Sequence, residues 1–337
     1  MNKAWNDMSD TKTLVAKINK KFGENTLGFA SDLKYSDTPR LSSGSLFLDY
    51  ALGTNKKDKA SGWALGRIVE LYGPESSGKS LICLKTIVEA QKAGYECAYI
   101  DCENSFDMIF AEQLGVDTSK LLITRENVAE KVFDIASQIL EEYPKIRVVV
   151  FDSIASMIPK VEIEASLEDQ QMASVARVMS KGLRKLTLKN KNNAVLLFIN
   201  QLRENPGAGM YANPEYTPGG RAIKFYSSIR AEIRKGEFLF DPEDKKKRIG
   251  QTVKFKIVKN KTDIPFREGY FRFMYEEGKL DTIDELISLG LLRGKIGRSG
   301  AYFSLADQSF HGREDMEAKL KESKEFFERA RSEIFAE

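Results

Sequence analysis

The run Gly73-Pro74-Glu75-Ser76-Ser77-Gly78-Lys79-Ser80 limits the fold more than any other stretch of the chain. It matches G-x-x-x-x-G-K-[ST], with a β-rich run at 67–72 before it and a helical pattern over 79–92 after it. Strand, glycine-bounded turn and helix in that order make a loop whose backbone N–H groups point inward and cradle phosphate oxygens. The helix N-terminus adds about half a positive charge behind them. Lys79 is placed to reach β- and γ-phosphates, and the Ser80 hydroxyl to ligate Mg2+. An ordinary Gly-rich turn is the bland alternative, and the flanking elements speak against it.

The chain around this loop alternates short β-rich runs with helical patterns. Strands are expected at 96–101, 121–124, 147–152 and 194–200, and helices at 106–114, 128–142 and 172–188. The runs at 147–152 and 194–200 are almost continuously apolar, the mark of strands covered on both faces. The class is therefore α/β, built from βαβ units around a largely parallel sheet. After Gly219 the runs 228–234, 252–258 and 270–274 alternate apolar and polar residues and read as antiparallel strands extending that sheet. Residues 11–23 read as a short amphipathic helix with Leu14, Val15, Ile18 and Phe22 on one stripe, too short for its own core. Residues 53–66 read as a polar, Lys-rich loop, and 280–337 as a small separate α/β unit ending in one charged helix over 313–333.

Composition closes off several classes. The 337 residues are 42% hydrophobic and 30% charged, which fits a globular chain with a large core and excludes general disorder. A net charge of +3 announces no nucleic-acid binder by its overall field, so any basic surface is local. No apolar run reaches the ~18 residues of a membrane span, and the start lacks the apolar core of a signal peptide, so a cytoplasmic protein with no membrane partner is expected. Cys83, Cys97 and Cys102 lack a CxxC pair and His311 is the only histidine, so neither a disulfide framework, a Cys/His zinc site nor histidine-based nucleophilic catalysis is expected.

Two strand ends supply what hydrolysis needs. Val148-Val149-Val150-Phe151-Asp152 ends in a carboxylate suited to organising Mg2+, with capping of the next turn as its alternative role. Ile100-Asp101-Cys102-Glu103 ends at the same edge, where open α/β sheets bind ligands. Glu103 is placed to activate water, and Asp101 is the competing carboxylate, which strand alternation sends to the opposite face. A third strand ends in Asn200-Gln201-Leu202-Arg203, where Gln201 can bond a γ-phosphate. It leads into 204–220, too rich in Gly and Pro for an ordinary helix or strand; a loop of this length is functional more often than a plain connection. On helix 172–188, Arg177, Lys181, Arg184 and Lys185 share a face opposite Val175, Val178 and Leu186. A solvated basic face is one reading; the irregular segments on either side favour a polyanion-binding one.

Taken together, GPESSGKS at 73–80, FINQLR at 198–203, GGRAIKFY at 219–226 and VKNK at 258–261 resemble the RecA family of bacterial and phage recombinases, in the family's order and over about residues 11–310. The resemblance implies a RecA-like P-loop ATPase core with a mostly parallel sheet at 37–278. An N-terminal polymerisation arm at 1–36 and a C-terminal α/β domain at 279–337 complete it. It implies an ATP- and Mg2+-dependent filament on single-stranded DNA that pairs and exchanges strands with homologous duplex DNA. Single-strand-binding and mediator proteins would assist it, in the cytoplasm of a bacterium or a phage-infected host.

Residue by residue, the resemblance makes Glu103 the water activator, Asp152 and Ser80 the Mg2+ side, and Gln201 the γ-phosphate sensor. Asp107, Phe110 and Tyr275 match positions around the adenine, Phe110 standing where a tyrosine is frequent. Lys259 and Lys261 match lysines reaching ATP on the adjacent subunit, and Phe225 matches an aromatic at the subunit contact. DNA-binding loops are implied at about 164–172 and 203–219, with Met172, Arg177, Ser180, Arg184, Arg203, Gly219 and Gly220 toward DNA. The second loop is one residue longer than the pattern and carries the acidic Glu204, which leaves its inserting residue unassigned. The lack of a strongly acidic tail implies readier engagement of duplex. A ring-forming motor on the same core and a non-exchanging DNA scaffold are the rival readings. GGRAIKFY and VKNK oppose the first, and the retained Glu103, Lys79 and Asp152 oppose the second.

Overall fold

A computed structural model describes residues 8–24, 26–29, 38–165, 174–204, 215–305 and 307–336. The chain divides into two compact units, Met1–Thr38 and Pro39–Glu337. In the first, helix α1 (Met8–Phe22) is followed by a turn in which Asn19 exchanges two hydrogen bonds with the backbone of Leu27.

The second unit is organised by a nine-stranded sheet. Its parallel part runs, in spatial order, β10 (Ile229–Phe240), β3 (Ile68–Gly73), β7 (Val195–Gln201), β6 (Ile146–Asp152), β4 (Glu96–Asp101) and β5 (Leu121–Thr124). Beyond β10, strands β11 (Arg248–Asn260), β12 (Glu268–Met274) and β13 (Lys279–Leu280) continue it antiparallel, as the change of texture after Gly219 predicts. The central strands are buried on both faces because successive side chains part company. Val69, Leu71, Val148, Val150 and Leu197 pack under helix α3 (Lys79–Lys92). Ile68, Val149, Phe151, Leu196 and Phe198 pack under α5 (Ala129–Glu142) and α7 (Ser174–Lys189). Phe151 and Phe198 stack with centroids 4.1 Å apart. Helices α5 and α7 approach so closely at Gly182 that an added Cβ would lie 2.3 Å from the Phe133 ring.

Several elements differ from the sequence reading, each for a local reason. The stretch 53–66 is not all loop: Trp63–Ala64 (β2) pairs with Arg40–Leu41 (β1), and Trp63 is fully buried with its indole N–H on Thr86. Helix α4 starts only at Met108 because the Asp101 carboxylate holds the amides of Ser105 and Phe106 and Asp107 caps the first turn. The β10–β11 hairpin is longer than expected, its outer part gripped by Lys235 and Arg248 over the Phe238 ring. The helix expected at 313–333 is two, α10 (Arg313–Glu322) and α11 (Lys324–Phe335). Ser323 lies between them in extended conformation, its hydroxyl capping the Phe326 amide. Both pack with α9 (Thr282–Leu292) and the three-stranded sheet β14 (Gly297–Ser299), β15 (Tyr302–Leu305) and β16 (Gln308–His311), and their buried side chains join the core above α3.

Candidate nucleotide and DNA site

Register alone assembles the edge of the sheet where the strands end. Gly73 stands beside Gln201, and Asp101 beside Asp152. The loop leaving β3 needs its glycines: Gly78 starts α3 at φ +98°, and a Cβ on Gly73 would lie 1.9 Å from the carbonyl oxygen of Ile233. Lys79 folds back over the loop, donating to the carbonyls of Gly73 (3.1 Å) and Pro74 (2.6 Å). Burial holds its pKa below the ordinary lysine value, against the pull of Asp152 and Glu103. A cationic group held by loop carbonyls and the Ser77 hydroxyl, all neutral acceptors, is available to a phosphate that offers a full negative charge.

Ser80 and Asp152 meet as the sequence reading requires, Ser80 Oγ donating to Asp152 Oδ2 at 2.8 Å. Burial raises the Asp152 pKa, and its hydrogen bonds from Tyr99 and Ser80 oppose that rise. Among the described residues no group of three or more His, Cys, Asp or Glu side chains forms a metal cluster. One hydroxyl and one carboxylate fit Mg2+, a hard cation that completes its shell with phosphate oxygens and water. Glu103, half-buried, accepts from Gln201 Nε2 (3.1 Å), from the Ser153 hydroxyl and from Ser156 Oγ (3.3 Å). Asp101 is turned away, its carboxylate spent on the backbone of the following turn.

A cleft of about 240 Å3 opens beside the loop, lined by residues 76–81 with Phe110, Gln251 and Phe273. Phe110 lines this cleft, edge-on to Phe273 at 6.3 Å. Tyr275 stands one layer behind, against Phe273 (5.8 Å) and with its hydroxyl on Gln251. Asp107 is exposed and caps α4 rather than lining the cleft. Gln251 and Phe273 were missed; their strands alternate regularly, so nothing in the pattern separates a cleft-facing residue from an outward one.

Lys259 and Lys261 lie at the far end of the sheet. Lys259 pairs with Arg230, which pairs with Glu70, and the Lys261 amide bonds Ser228, whose own amide bonds Ile68. From Ile68 to Gly73, β3 covers six residues, roughly 16 Å at about 3.3 Å per step. Lys259 Nζ caps the end of α8 (Gly220–Tyr226) through the Lys224 carbonyl (2.6 Å), beside Phe225, which is 70% exposed.

On α7, Arg177, Lys181 and Arg184 are exposed, whereas Lys185 pairs with Asp134 of α5 at 2.7 Å. A groove of about 420 Å3 runs along Arg177, Lys181 and Lys185 against α5. Gly219 (φ +86°) and Gly220 (φ +71°) start α8 against α7, a Cβ on Gly220 falling 3.0 Å from that of Ala176. Ser180 and Arg203 are described, half-buried and exposed respectively. The segment 204–220, expected to be irregular, contains a short ladder: β8 (Arg203–Glu204) pairs with β9 (Glu215–Tyr216), and Arg234 clasps Glu215 and Glu232. Met172 and residues 205–214 lie outside the described residues.

Beneath this edge Glu70, fully buried, binds Arg230 (2.5 Å) and Asn200 (2.9 Å), and Asn200 also holds the Pro218 carbonyl (3.0 Å). One amide thus joins the strand before the phosphate loop to the residue before Gly219.

Comparison with known proteins bears on the whole arrangement. The family profile of the RecA N-terminal domain matches residues 10–280. Protein RecA of Sulfurovum sp. strain NBC37-1 is 41% identical over 311 residues, 92% of this chain and 86% of its own length. Protein RecA of Cytophaga hutchinsonii is 44% identical over 291 residues, 86% of this chain and 79% of its own. That of Bacillus subtilis strain 168 is 40% identical over 316 residues. With a phosphate loop, a paired hydroxyl and carboxylate and a Gln–Glu couple at one sheet edge, and with likeness sustained along nearly the full length, this chain belongs to the RecA family.

Proposed function

We propose that the chain is an ATP-dependent DNA recombinase that polymerises on single-stranded DNA, holds ATP between protomers and exchanges the bound strand with a homologous duplex. The observation that carries this is the meeting, at one edge, of the phosphate loop, Ser80 with Asp152, and Gln201 with Glu103, on a strand that leads straight into the segment ending at Gly219 beside α7. Lys79 and the loop amides bind the β- and γ-phosphates, Ser80 and Asp152 hold Mg2+, and Glu103 takes the proton of the attacking water. The chemistry a bound Mg2+ supplies is neutralisation of charge on those phosphates.

Gln201 works as a switch between two acceptors. Its amide rests on Glu103; a γ-phosphate offers a stronger, charged one. Taking it removes one of the three donors on Glu103 Oε1, leaving the Ser153 and Ser156 hydroxyls, and displaces the end of β7, where Asn200 holds Pro218. Arg177, Ser180, Arg184, Arg203 and the amides of Gly219 and Gly220 then face the DNA backbone, giving salt-dependent and sequence-tolerant binding. Lys259 and Lys261, too far from their own loop, serve the neighbour's nucleotide, and Phe225 lies in that contact. Assistance by single-strand-binding and mediator proteins and a cytoplasmic setting complete the reading.

The test is strand exchange between circular single-stranded and linear duplex DNA. Joint molecules are expected with ATP and absent without it, and Glu103→Gln should bind ATP while its single-strand-stimulated hydrolysis falls by about 10²-fold or more. Unchanged hydrolysis in Glu103→Gln rejects the base assignment, and closed rings instead of helical filaments under the electron microscope reject the recombinase reading.

A further inference from the structure

Tyr99 sits in the interior of β4, 3% exposed, its ring edge-on to Phe106 at 5.0 Å. Its hydroxyl donates to Asp152 Oδ2 at 2.5 Å, the same oxygen that Ser80 Oγ reaches at 2.8 Å. Packing does not require that hydroxyl: phenylalanine has nearly the same shape and no polar atom to bury. A buried phenol is favourable only with a partner, and the partner here is the carboxylate beside the phosphate loop.

We infer that Tyr99 is a positioning residue that clamps the Asp152 carboxylate in the orientation that receives the Ser80 proton. The inference rests on the metal-side role proposed above for Ser80 and Asp152. A serine hydroxyl that gives its lone pairs to a cation must place its proton elsewhere. Asp152 Oδ2 is where this serine places it. Rotation of a carboxylate about its terminal torsion is soft and roughly two-fold, so a carboxylate held by Ser80 alone can turn and let the serine swing with it. A second donor on the same oxygen, from a rigid strand, fixes the plane. Tyr99 touches neither phosphate nor water in this scheme; it acts through Asp152.

The experiment follows binding at equilibrium, without turnover. The full chain is titrated with Mg2+ at fixed fluorescent (methylanthraniloyl) ADP, and the Mg2+-dependent gain in nucleotide binding is recorded alongside thermal melting. Tyr99→Phe is expected to melt with the wild type and to bind the nucleotide equally well in EDTA. It should need about tenfold more Mg2+ for the half-maximal gain, the equivalent of about 1.4 kcal/mol. An unchanged Mg2+ midpoint, or an equal loss with and without Mg2+, overturns the positioning role. Should Tyr99→Phe fail to fold, Phe106→Leu loosens the seat of the phenol while keeping its hydroxyl. A two- to threefold rise in the midpoint supports the role and none overturns it. Asp152→Asn and Ser80→Ala separate the two levels. If both keep the wild-type Mg2+ dependence, the metal-side reading itself fails. If both lose it while Tyr99→Phe does not, only the role of Tyr99 falls.

Discussion

The placement of Lys259 and Lys261 predicts a complementation that no single-chain site could show. Lys261 lies level with the start of β3, roughly 16 Å along the strand from the loop, and Lys259 level with Glu70, roughly 10 Å along it; both stand two strand spacings of about 4.8 Å to the side. Even with a lysine extended toward its own phosphates the gap stays near 10 Å, where two charges in water interact by about 0.4 kcal/mol before screening removes most of it. Substituting either lysine should therefore change the nucleotide affinity of unassembled protein less than about twofold. In a filament the same change removes a cation supplied in trans, a contribution of about 10³-fold or more in phosphoryl transfer. Lys79→Ala has the complementary defect, an intact pair of lysines and a broken loop. Mixed in equal amounts, the two inactive variants form head-to-tail contacts at random. About one quarter of those contacts join a good loop to good lysines. DNA-stimulated hydrolysis should reach about one quarter of wild type in the mixture, against near zero for each variant alone. A mixture no more active than its components refutes the cross-subunit assignment. Lys261→Ala is the cleaner partner, because Lys259 also holds the Lys224 carbonyl.

Other outcomes are as definite. Arg184→Ala should weaken single-stranded DNA binding across sequences and reduce the slope of log K against log salt by about 0.7, measured by fluorescence anisotropy from low to high salt. Arg230→Ala leaves Glu70 buried with Asn200 as its remaining partner, and urea unfolding should show a loss of about 3–5 kcal/mol. Glu285, fully buried against Ser45 and the Phe47 amide, has its pKa pushed up from 4.5 to about 8 by burial. The folded chain thus keeps a proton that the unfolded chain releases, so its contribution to stability is full below about pH 4.5 and is lost as pH rises toward 8. Stability of the wild type relative to Glu285→Gln should fall through that window by at most about 1.4 kcal/mol per pH unit; a rising difference refutes the assignment.

What could be read before the structure was known follows the physics of each element. Strands β6 and β7 are legible because strands covered on both faces are apolar almost throughout, and the loop Gly73 to Ser80 because its geometry demands particular residues. Glu103 and Asp152 are legible as strand ends. The break at Ser323 is not, because a serine inside a charged helical pattern carries no mark until its hydroxyl finds the Phe326 amide. Nor is the pairing of Arg203–Glu204 with Glu215–Tyr216, since two-residue strands have no periodicity. Lys185 reads as one cation of a stripe, and only the packing of α5 on α7 reveals Asp134 beneath it. Tyr99 looks like any aromatic core residue; its hydroxyl matters because β4 lies beside β6, where Tyr99 stands level with Val150 and its hydroxyl reaches Asp152 at the strand end.

The sheet order carries a consequence for synthesis. β3 has β7 for its immediate neighbour, and the bond between Glu70 and Asn200 spans 130 residues of chain. A ribosome that has released the phosphate loop and its helix has not yet made the strand against which they rest. Contacts so distant along the polypeptide form late, so a partly made or truncated chain ending before β7 exposes an unmatched strand edge and cannot close around a nucleotide. Competence for binding therefore arrives late, once β7, then β10 on the other side of β3, and the strands that carry Gln251 and Phe273 are complete.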